Sequence, residues 1–163
     1  MNYDVLDVSR YIISYSNKMD YGISNLKLQK VLYFVQAYFL IQTGHPCFKE
    51  KIEAWDFGPV VPKTYCEYKQ YGCGDIPTTK SFIMIDKDNI WNSKRVELKE
   101  IAISDDDKSL IDKVVDKFSD YSATDLVKLT QRQTPWIDAI VSNQSNEITN
   151  KSIFEYFNSI ENV

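Results

Sequence analysis

The side chains of this sequence that could bind a metal or act as nucleophiles are few and poorly placed for either task. The one histidine, His45, stands in a Gly-His-Pro turn, and the cysteines are Cys47, Cys66 and Cys73. Together they have the composition of a zinc site, but their spacings match no zinc motif. None stands on an element that would orient it for nucleophilic catalysis. We therefore expect no catalytic residue, no cofactor and no metal.

A second group of possible ligands lies in an acidic stretch near the middle of the chain. Asp86 and Asp88, with Glu97 eleven positions after Asp86, have part of the spacing of a calcium-binding loop. Trp91 stands where that loop requires glycine, and Ile90 replaces a ligand. The stretch therefore predicts a turn. The sequence also has no phosphate-binding glycine loop, no Gly-x-Ser-x-Gly elbow and no two-histidine metal helix.

The composition favours a folded protein that does not bind nucleic acid. The 163 residues are 44% apolar and 13% aromatic, which predicts one packed domain over residues 1–163. The net charge is −4, whereas nucleic-acid affinity depends on a basic surface. The short basic pairs Lys27 with Lys30 and Lys49 with Lys51 are typical of solvated helix ends and a loop.

The cysteine count and the longest apolar run indicate a cytoplasmic protein. Three cysteines without Cys-x-x-Cys spacing fit reduced thiols better than a disulfide framework. The N-terminus lacks the basic and apolar regions of a secretory signal. Gln36 and Gln42 interrupt the longest apolar run, which is shorter than the roughly 20 residues of a membrane span.

These side chains must be positioned by other elements, and the chain is organised around residues 25–62. Residues 25–41 form a helix that is apolar nearly all round, which predicts burial on several sides. Ser24 or Asn25 can cap its start, and Gly44 with Pro46 ends it. The following Trp55 to Pro62 reads as one shaped, rigid loop, because Pro59 and Pro62 restrict both themselves and their preceding residues.

The remaining sequence predicts a mainly α fold of about six to seven helices around this central helix. Helices are predicted over residues 4–18, 63–71 and 105–119, and around 150–160. Ser122-Ala123-Thr124-Asp125 resembles a capping box that starts a short helix carrying Leu126 and Leu129. Thr134-Pro135-Trp136 has the cap-then-proline form of another helix start, which runs through Ile137, Ile140 and Val141.

In the helix around 150–160 we expect Ile153, Phe154, Phe157 and Ile160 to be buried. A small β-hairpin is predicted near 80–103, with segments from Phe82 to Ile85 and from Arg95 to Leu98.

Two glutamines seven residues apart share one side of the central helix. Gln29 and Gln36 carry donors and acceptors on an otherwise apolar surface. They can hold the Gly58-Pro59 loop or another backbone segment in place. The alternative is that this side of the helix faces water.

Three segments of the sequence resemble one known family. They are Leu26-x-Leu28-Gln29-Lys30-x-Leu32-Tyr33-Phe34-x-Gln36-Ala37, then Glu53-Ala54-Trp55-x-Phe57-Gly58-Pro59-Val60-x-Pro62-x-x-Tyr65, and finally Tyr121-Ser122-Ala123-Thr124-Asp125-Leu126-x-x-Leu129-Thr130 with Pro135-Trp136. This pattern resembles the Panacea antitoxin domain, also called the SocA-like or phage-associated GepA-like family. Relatives commonly carry a histidine after the Leu-Thr pair, where this chain has Gln131.

The resemblance implies a protein-binding function. Panacea-domain proteins neutralise co-encoded toxins by direct binding, and SocA-like members can act as adaptors that deliver a toxin to the ClpXP protease. Two alternatives stay open: a phage or mobile-element protein that inhibits another host protein, and an enzyme or metal-dependent regulator with a cryptic site. A small adjacent reading frame in the same operon would favour the antitoxin.

The motif residues are the candidates for partner binding. They are Gln29, Lys30, Tyr33, Gln36, Trp55, Phe57, Gly58, Pro59, Val60, Tyr65 and Trp136. We expect Trp55, Phe57, Gly58 and Pro59 to act first as structure, with direct contact by Trp55 as the alternative. The contact surface is expected near the Gly58-Pro59 loop and the C-terminal helices.

Overall fold

Seven α-helices and five short strands lie within residues 2–97, 102–142 and 145–161, which the computed structural model describes. The helices are α1 (Val5–Lys18), α2 (Asn25–Thr43), α3 (Pro62–Tyr68), α4 (Asp105–Lys117), α5 (Ala123–Thr130), α6 (Thr134–Val141) and α7 (Asn150–Glu161). The strands are β1 (Ile52–Trp55), β2 (Gly58–Val60), β3 (Ser81–Met84), β4 (Lys94–Glu97) and β5 (Glu147–Ile148). The predicted mainly α fold and the hairpin are confirmed, while Leu98, the predicted end of the second strand, lies outside the described residues.

Helix α2 is the centre of the fold, as its apolar pattern predicts. The Ser24 hydroxyl accepts a hydrogen bond from the Lys27 amide at 3.3 Å and so caps the helix. Gly44 ends it in the left-handed region, at φ +71°, and its amide donates to the Leu40 carbonyl. Between these caps α2 packs against α1, α3, α4, α5, α7 and β2. Within the described residues, no helix is both long and apolar enough to cross a membrane.

Helix α5 begins at the cap that the sequence predicts, whereas Thr134, predicted to cap α6, is its first residue and Gln133 is the cap. Ser122 and Asp125 form a reciprocal capping box at the start of α5.

Helix α7 is less buried than expected. In α7, Ile153 and Phe157 are buried in the core. The prediction of burial was wrong for Phe154, which lies about 100° around the helix from Ile153. It was also wrong for Ile160, because the last turn of α7 is exposed.

The segment predicted as one shaped loop is instead part of a three-stranded sheet of order β2-β1-β5. Strand β1 pairs antiparallel with β2, so that Trp55 lies opposite Gly58 and only Asp56 and Phe57 form the turn. Strand β5 pairs with the other edge of β1. The sequence did not show this pairing, since strands of two to four residues are too short for a periodic pattern and β5 lies far along the chain.

Gln36 connects the segment before β1 to α2 through hydrogen bonds to backbone groups. Its side-chain oxygen accepts from the Cys47 and Phe48 amides at 3.0 and 3.3 Å. Its amide nitrogen donates to the Phe48 carbonyl and to the Asn150 side chain, each at 3.0 Å. Gln36 is buried, so the alternative that its side of the helix faces water was wrong. The prediction that it holds a backbone segment is confirmed.

Gly58 directly follows the β1–β2 turn and lies close to helices α2 and α5. Its φ of +94° belongs to a region that side-chain-bearing residues rarely adopt. A Cβ atom there would lie 2.8 Å from Thr130 Oγ1 and 2.9 Å from Lys30 Cε. The turn therefore requires glycine both for its backbone conformation and for its packing.

Gly58→Ala is expected to destabilise the protein more than Gly44→Ala. Both substitutions place Ala at positive φ, which costs roughly 1–2 kcal/mol. At Gly44 nothing lies within 4 Å of the new methyl group, whereas at Gly58 the methyl group overlaps Thr130 and Lys30. We expect Gly58→Ala to lower the free energy of unfolding by about 1–3 kcal/mol more than Gly44→Ala. Urea denaturation measures this, and equal losses would contradict the close packing at Gly58.

Candidate functional site

An open cleft of about 310 Å³ lies where α2, the β1–β2 turn and α3 meet. Most of its lining is apolar, with one carboxylate. The lining residues are Leu26, Gln29, Trp55, Asp56, Phe57, Val60 and Tyr65. A concave, mainly apolar surface with few polar groups is typical of a binding site. Five of the eleven motif residues therefore line one cleft.

Gln29 fixes one wall of the cleft from inside the core. Its side-chain oxygen accepts from the Val61 amide at 2.9 Å and from the Thr64 hydroxyl at 3.1 Å. Its amide nitrogen donates to the Asn25 side chain at 2.9 Å, and Asn25 in turn donates to the Tyr65 carbonyl. The prediction that Gln29 holds the backbone of this region is confirmed, and the alternative that it faces water was wrong.

Lys30 holds the backbone on the inner side of the turn. Its ammonium group donates to the Pro59 carbonyl at 2.8 Å, and the residue is 0% exposed. Burial lowers the pKa of this side chain from its ordinary value of 10.5 to about 7, because a charge is poorly solvated in the interior. The prediction of a solvated helix end was wrong for Lys30, since α2 is covered on that side by the turn. Its neighbour Lys27 is half-buried and donates to the Ser119 carbonyl.

Helices α5 and α6 hold the other side of the turn through its carbonyl groups. The indole N–H of Trp136 donates to the Trp55 carbonyl at 2.9 Å. The side-chain amide of Gln131 donates to the Asp56 carbonyl at 2.8 Å. Gln131 thus has a definite contact in this chain. The turn is held from both sides by hydrogen bonds to its backbone.

The aromatic residues of the cleft differ in their exposure. Trp55 is half-buried: its indole N–H donates to Glu53 at 2.8 Å and its ring meets Tyr65 edge to face at a centroid distance of 5.1 Å. Phe57 is 68% exposed, because the two-residue turn directs it away from the core. The expectation that Phe57 is primarily structural does not agree with this exposure. Val60 is buried, in contrast to Phe57.

Two of the six motif residues that do not line the cleft contact parts of the fold other than the turn. The buried Tyr33 donates its hydroxyl to the Gln133 side chain at 2.8 Å, and burial raises the pKa of this phenol. Gln36 contacts the segment around Phe48, as described above. Neither side chain lines the cleft. We find no role for either beyond holding the fold.

Sequence reasoning missed two buried polar residues that hold the cleft together. Thr64 has no local motif that would single it out, and its hydroxyl donates to the Gln29 side chain, 35 positions away along the chain. Asn25 was named only as a possible cap of α2, whereas its side chain bonds to Gln29 and to the Tyr65 carbonyl. Gln131, which holds the turn, was marked only as a departure from the family pattern.

The cysteines that were considered as metal ligands do not share one environment. Cys47 is buried, whereas Cys66 and Cys73 are exposed. Burial raises the pKa of the Cys47 thiol, so that it stays protonated. Among the described residues, no three His, Cys, Asp or Glu side chains are grouped so that they could hold a metal ion.

The burial of Lys30 is expected to make the stability depend on pH. The pKa of Lys30 is about 7 in the folded protein and 10.5 as an ordinary value, so the unfolded chain binds more protons between these values. The free energy of unfolding should therefore rise with pH, by about 2 kcal/mol between about pH 7 and pH 9. Lys30→Met lacks this titration and serves as the control in urea denaturation. If the free energies of unfolding of the parent and of Lys30→Met differ by the same amount at every pH in this range, the depressed pKa of Lys30 is contradicted.

Comparison with known proteins agrees with the motifs. The sequence profile of the family described as "Antitoxin SocA-like, Panacea domain" matches residues 28–137. A curated relative named "Antitoxin SocA", from Caulobacter vibrioides (strain NA1000 / CB15N), is 42% identical over 62 residues, which are 38% of this chain and 33% of the relative. The match thus spans only a third of that relative's length. No solved structure matches this chain. Since the family profile covers more than half of the sequence, the chain belongs to the antitoxin SocA-like, Panacea domain family.

Proposed function

We propose that this protein is an antitoxin that binds and neutralises a toxin encoded beside it, with the contact centred on the cleft and on Phe57. The observation that carries the proposal is an exposed phenylalanine on a turn whose backbone is held from both sides. Family membership and the relative named "Antitoxin SocA" support the antitoxin role.

The geometry favours binding for two physical reasons. A turn fixed by Lys30, Gln131 and Trp136 loses little conformational freedom when a partner binds, so more of the interaction energy appears as affinity. Aromatic side chains at the centre of an interface also contribute a large share of binding energy. Phe57 and the adjacent apolar cleft provide such a centre without requiring chemistry from the chain itself.

The surface near the cleft extends to α6 and is suited to a basic partner. Helix α6 packs against β1 and carries the exposed side chains of Ile137 and Val141. Asp56 lies in the turn itself, and the chain as a whole carries a net charge of −4. An acidic surface raises the rate of association with a basic toxin. We propose that the protein acts in this way as a binding protein and not as an enzyme.

Phe57→Ala is expected to abolish neutralisation without unfolding the protein. Loss of an interface hot spot typically costs at least about 2 kcal/mol, so affinity for the toxin should fall roughly 30-fold or more. Since Phe57 is exposed, the melting temperature should stay that of the parent. Affinity pull-down with the product of the neighbouring gene and a growth assay under co-expression measure both effects.

Phe154→Ala is the matched control, because Phe154 is exposed on α7 and does not line the cleft. This variant should bind and rescue growth as the parent does. Trp55→Ala is less informative, since truncating a packed indole costs about 3–5 kcal/mol of stability. Full binding by Phe57→Ala would disprove the proposed contact. If the neighbouring gene is harmless, the antitoxin proposal fails and a host protein becomes the target to seek.

Neutralisation can end in masking the toxin or in delivering it to the ClpXP protease. The half-life of the toxin, measured with and without ClpX while this chain is present, separates the two. A toxin that becomes long-lived and harmful without ClpX indicates delivery. Growth rescue that persists without ClpX indicates masking.

A further inference from the structure

The hairpin of β3 and β4 exposes apolar side chains on both of its faces. Ile83 is 62% exposed, Met84 57% and Ile85 64%, and consecutive residues of a strand point to opposite faces. Within the described residues the two strands pair only with each other, as a two-stranded sheet. Strand β3 therefore carries a run of exposed apolar residues, and among the described residues its outer edge has no partner strand.

Such an edge is unstable by itself in water. A single two-stranded hairpin is at best marginally stable, and three or more strands are needed for independent stability. An open apolar edge also presents unpaired backbone groups to another strand, a hazard that proteins usually reduce with charged residues or proline. The sequence from Ser81 to Ile85 has neither. A further strand beside β3 would satisfy the backbone groups and bring apolar side chains of the two strands into cross-strand contact.

The sequence around β3 is complementary to itself. Lys80 and Asp86 stand at equal distances on the two sides of Ile83. If two copies of β3 lie antiparallel with a two-fold axis at Ile83, Lys80 of each copy lies opposite Asp86 of the other. Ile83 then lies opposite Ile83, and Ile85 opposite Ser81. A shift of one residue places Lys80 opposite either Ile85 or Lys87, so the charge match is lost.

We propose that two copies of this chain associate through the outer edges of β3, with the two-fold axis at Ile83. The product is a four-stranded antiparallel sheet in which the two β3 strands are central. An interface of this symmetry uses the same surface on both subunits, which the sequence from Lys80 to Asp86 satisfies. This proposal is independent of the proposed antitoxin function, because it uses neither the cleft nor Phe57.

The apolar side chains and the new backbone hydrogen bonds provide the affinity of this dimer. The two ion pairs select the register, since an exposed ion pair contributes only about 0–1 kcal/mol. Asp86 also shapes the hairpin turn, because its carboxylate accepts from the Asp88 and Asn89 amides. Substitution of Asp86 would therefore disturb the turn, and the test uses Ile83 instead.

Ile83→Lys tests the interface by placing two like charges at the two-fold axis. Sedimentation velocity over a wide concentration range should show a monomer–dimer equilibrium for the parent. The dimer dissociation constant should rise at least about 100-fold in Ile83→Lys. Ile90→Lys is the control, because Ile90 is equally exposed but lies outside β3, and it should dimerise as the parent does. Circular dichroism confirms that both variants are folded.

A disulfide test reports on the register. In a Cys66→Ser/Cys73→Ser background, Ile83→Cys should form a dimer disulfide under mild oxidation, because residue 83 lies opposite itself. Ser81→Cys alone should not form one, since it lies opposite Ile85. Mixing Ser81→Cys with Ile85→Cys should restore it.

Three results would overturn the proposal: a parent that is monomeric at every concentration, a dimer unaffected by Ile83→Lys, or cross-linking through Ser81→Cys alone. A monomeric parent whose toxin binding is lost in Ile83→Lys would assign the β3 edge to the toxin. That outcome would reject self-association while leaving the antitoxin function in place.

Discussion

The rest of the structure depends on the burial of α2 by six other elements. A helix covered on all sides cannot leave a polar side chain unsatisfied, because an unpaired buried polar group costs about 1–3 kcal/mol. Gln29, Lys30 and Gln36 are therefore each bonded to backbone groups of the segments that cover the helix. The polar residues of α2 thus determine where the loops around it lie.

This arrangement explains how the turn between β1 and β2 is held in place at the surface. Lys30 holds its backbone from the side of α2, and Gln131 and Trp136 hold it from the side of the C-terminal helices. Gly58 has no side chain, so the turn can lie close to both α2 and α5. Because the backbone is fixed so closely, Phe57 has a defined position even though its side chain is in water. The rigid backbone and the exposed ring together make the turn suited to recognition.

The sequence predicts the features of this fold that depend on neighbouring residues. The Ser24 cap, the Gly44 terminus and the Ser122–Asp125 capping box are local patterns, and each is present where expected. The three-stranded sheet was missed because β5 joins β1 across a long stretch of chain. The burial of Lys30 was missed because it depends on the turn that covers it, not on the charge of its neighbours. The sequence did not predict the cleft, although five of the motif residues line it. The exposure of Phe57 was also missed, because it follows from a two-residue turn that was read as a longer loop.

The contacts that fix the turn also set the order in which the protein can become functional during its synthesis. Trp55 and its hydrogen-bond partner Trp136 are 81 positions apart. At a translation rate of about 5–20 residues per second, the second residue is made roughly 4–16 s after the first. Until then the turn lacks its hydrogen bond from Trp136 on α6, and its backbone is held only from the side of α2. A nascent or truncated chain that ends before α5 therefore has the Phe57 side chain but not the rigid support that defines its position.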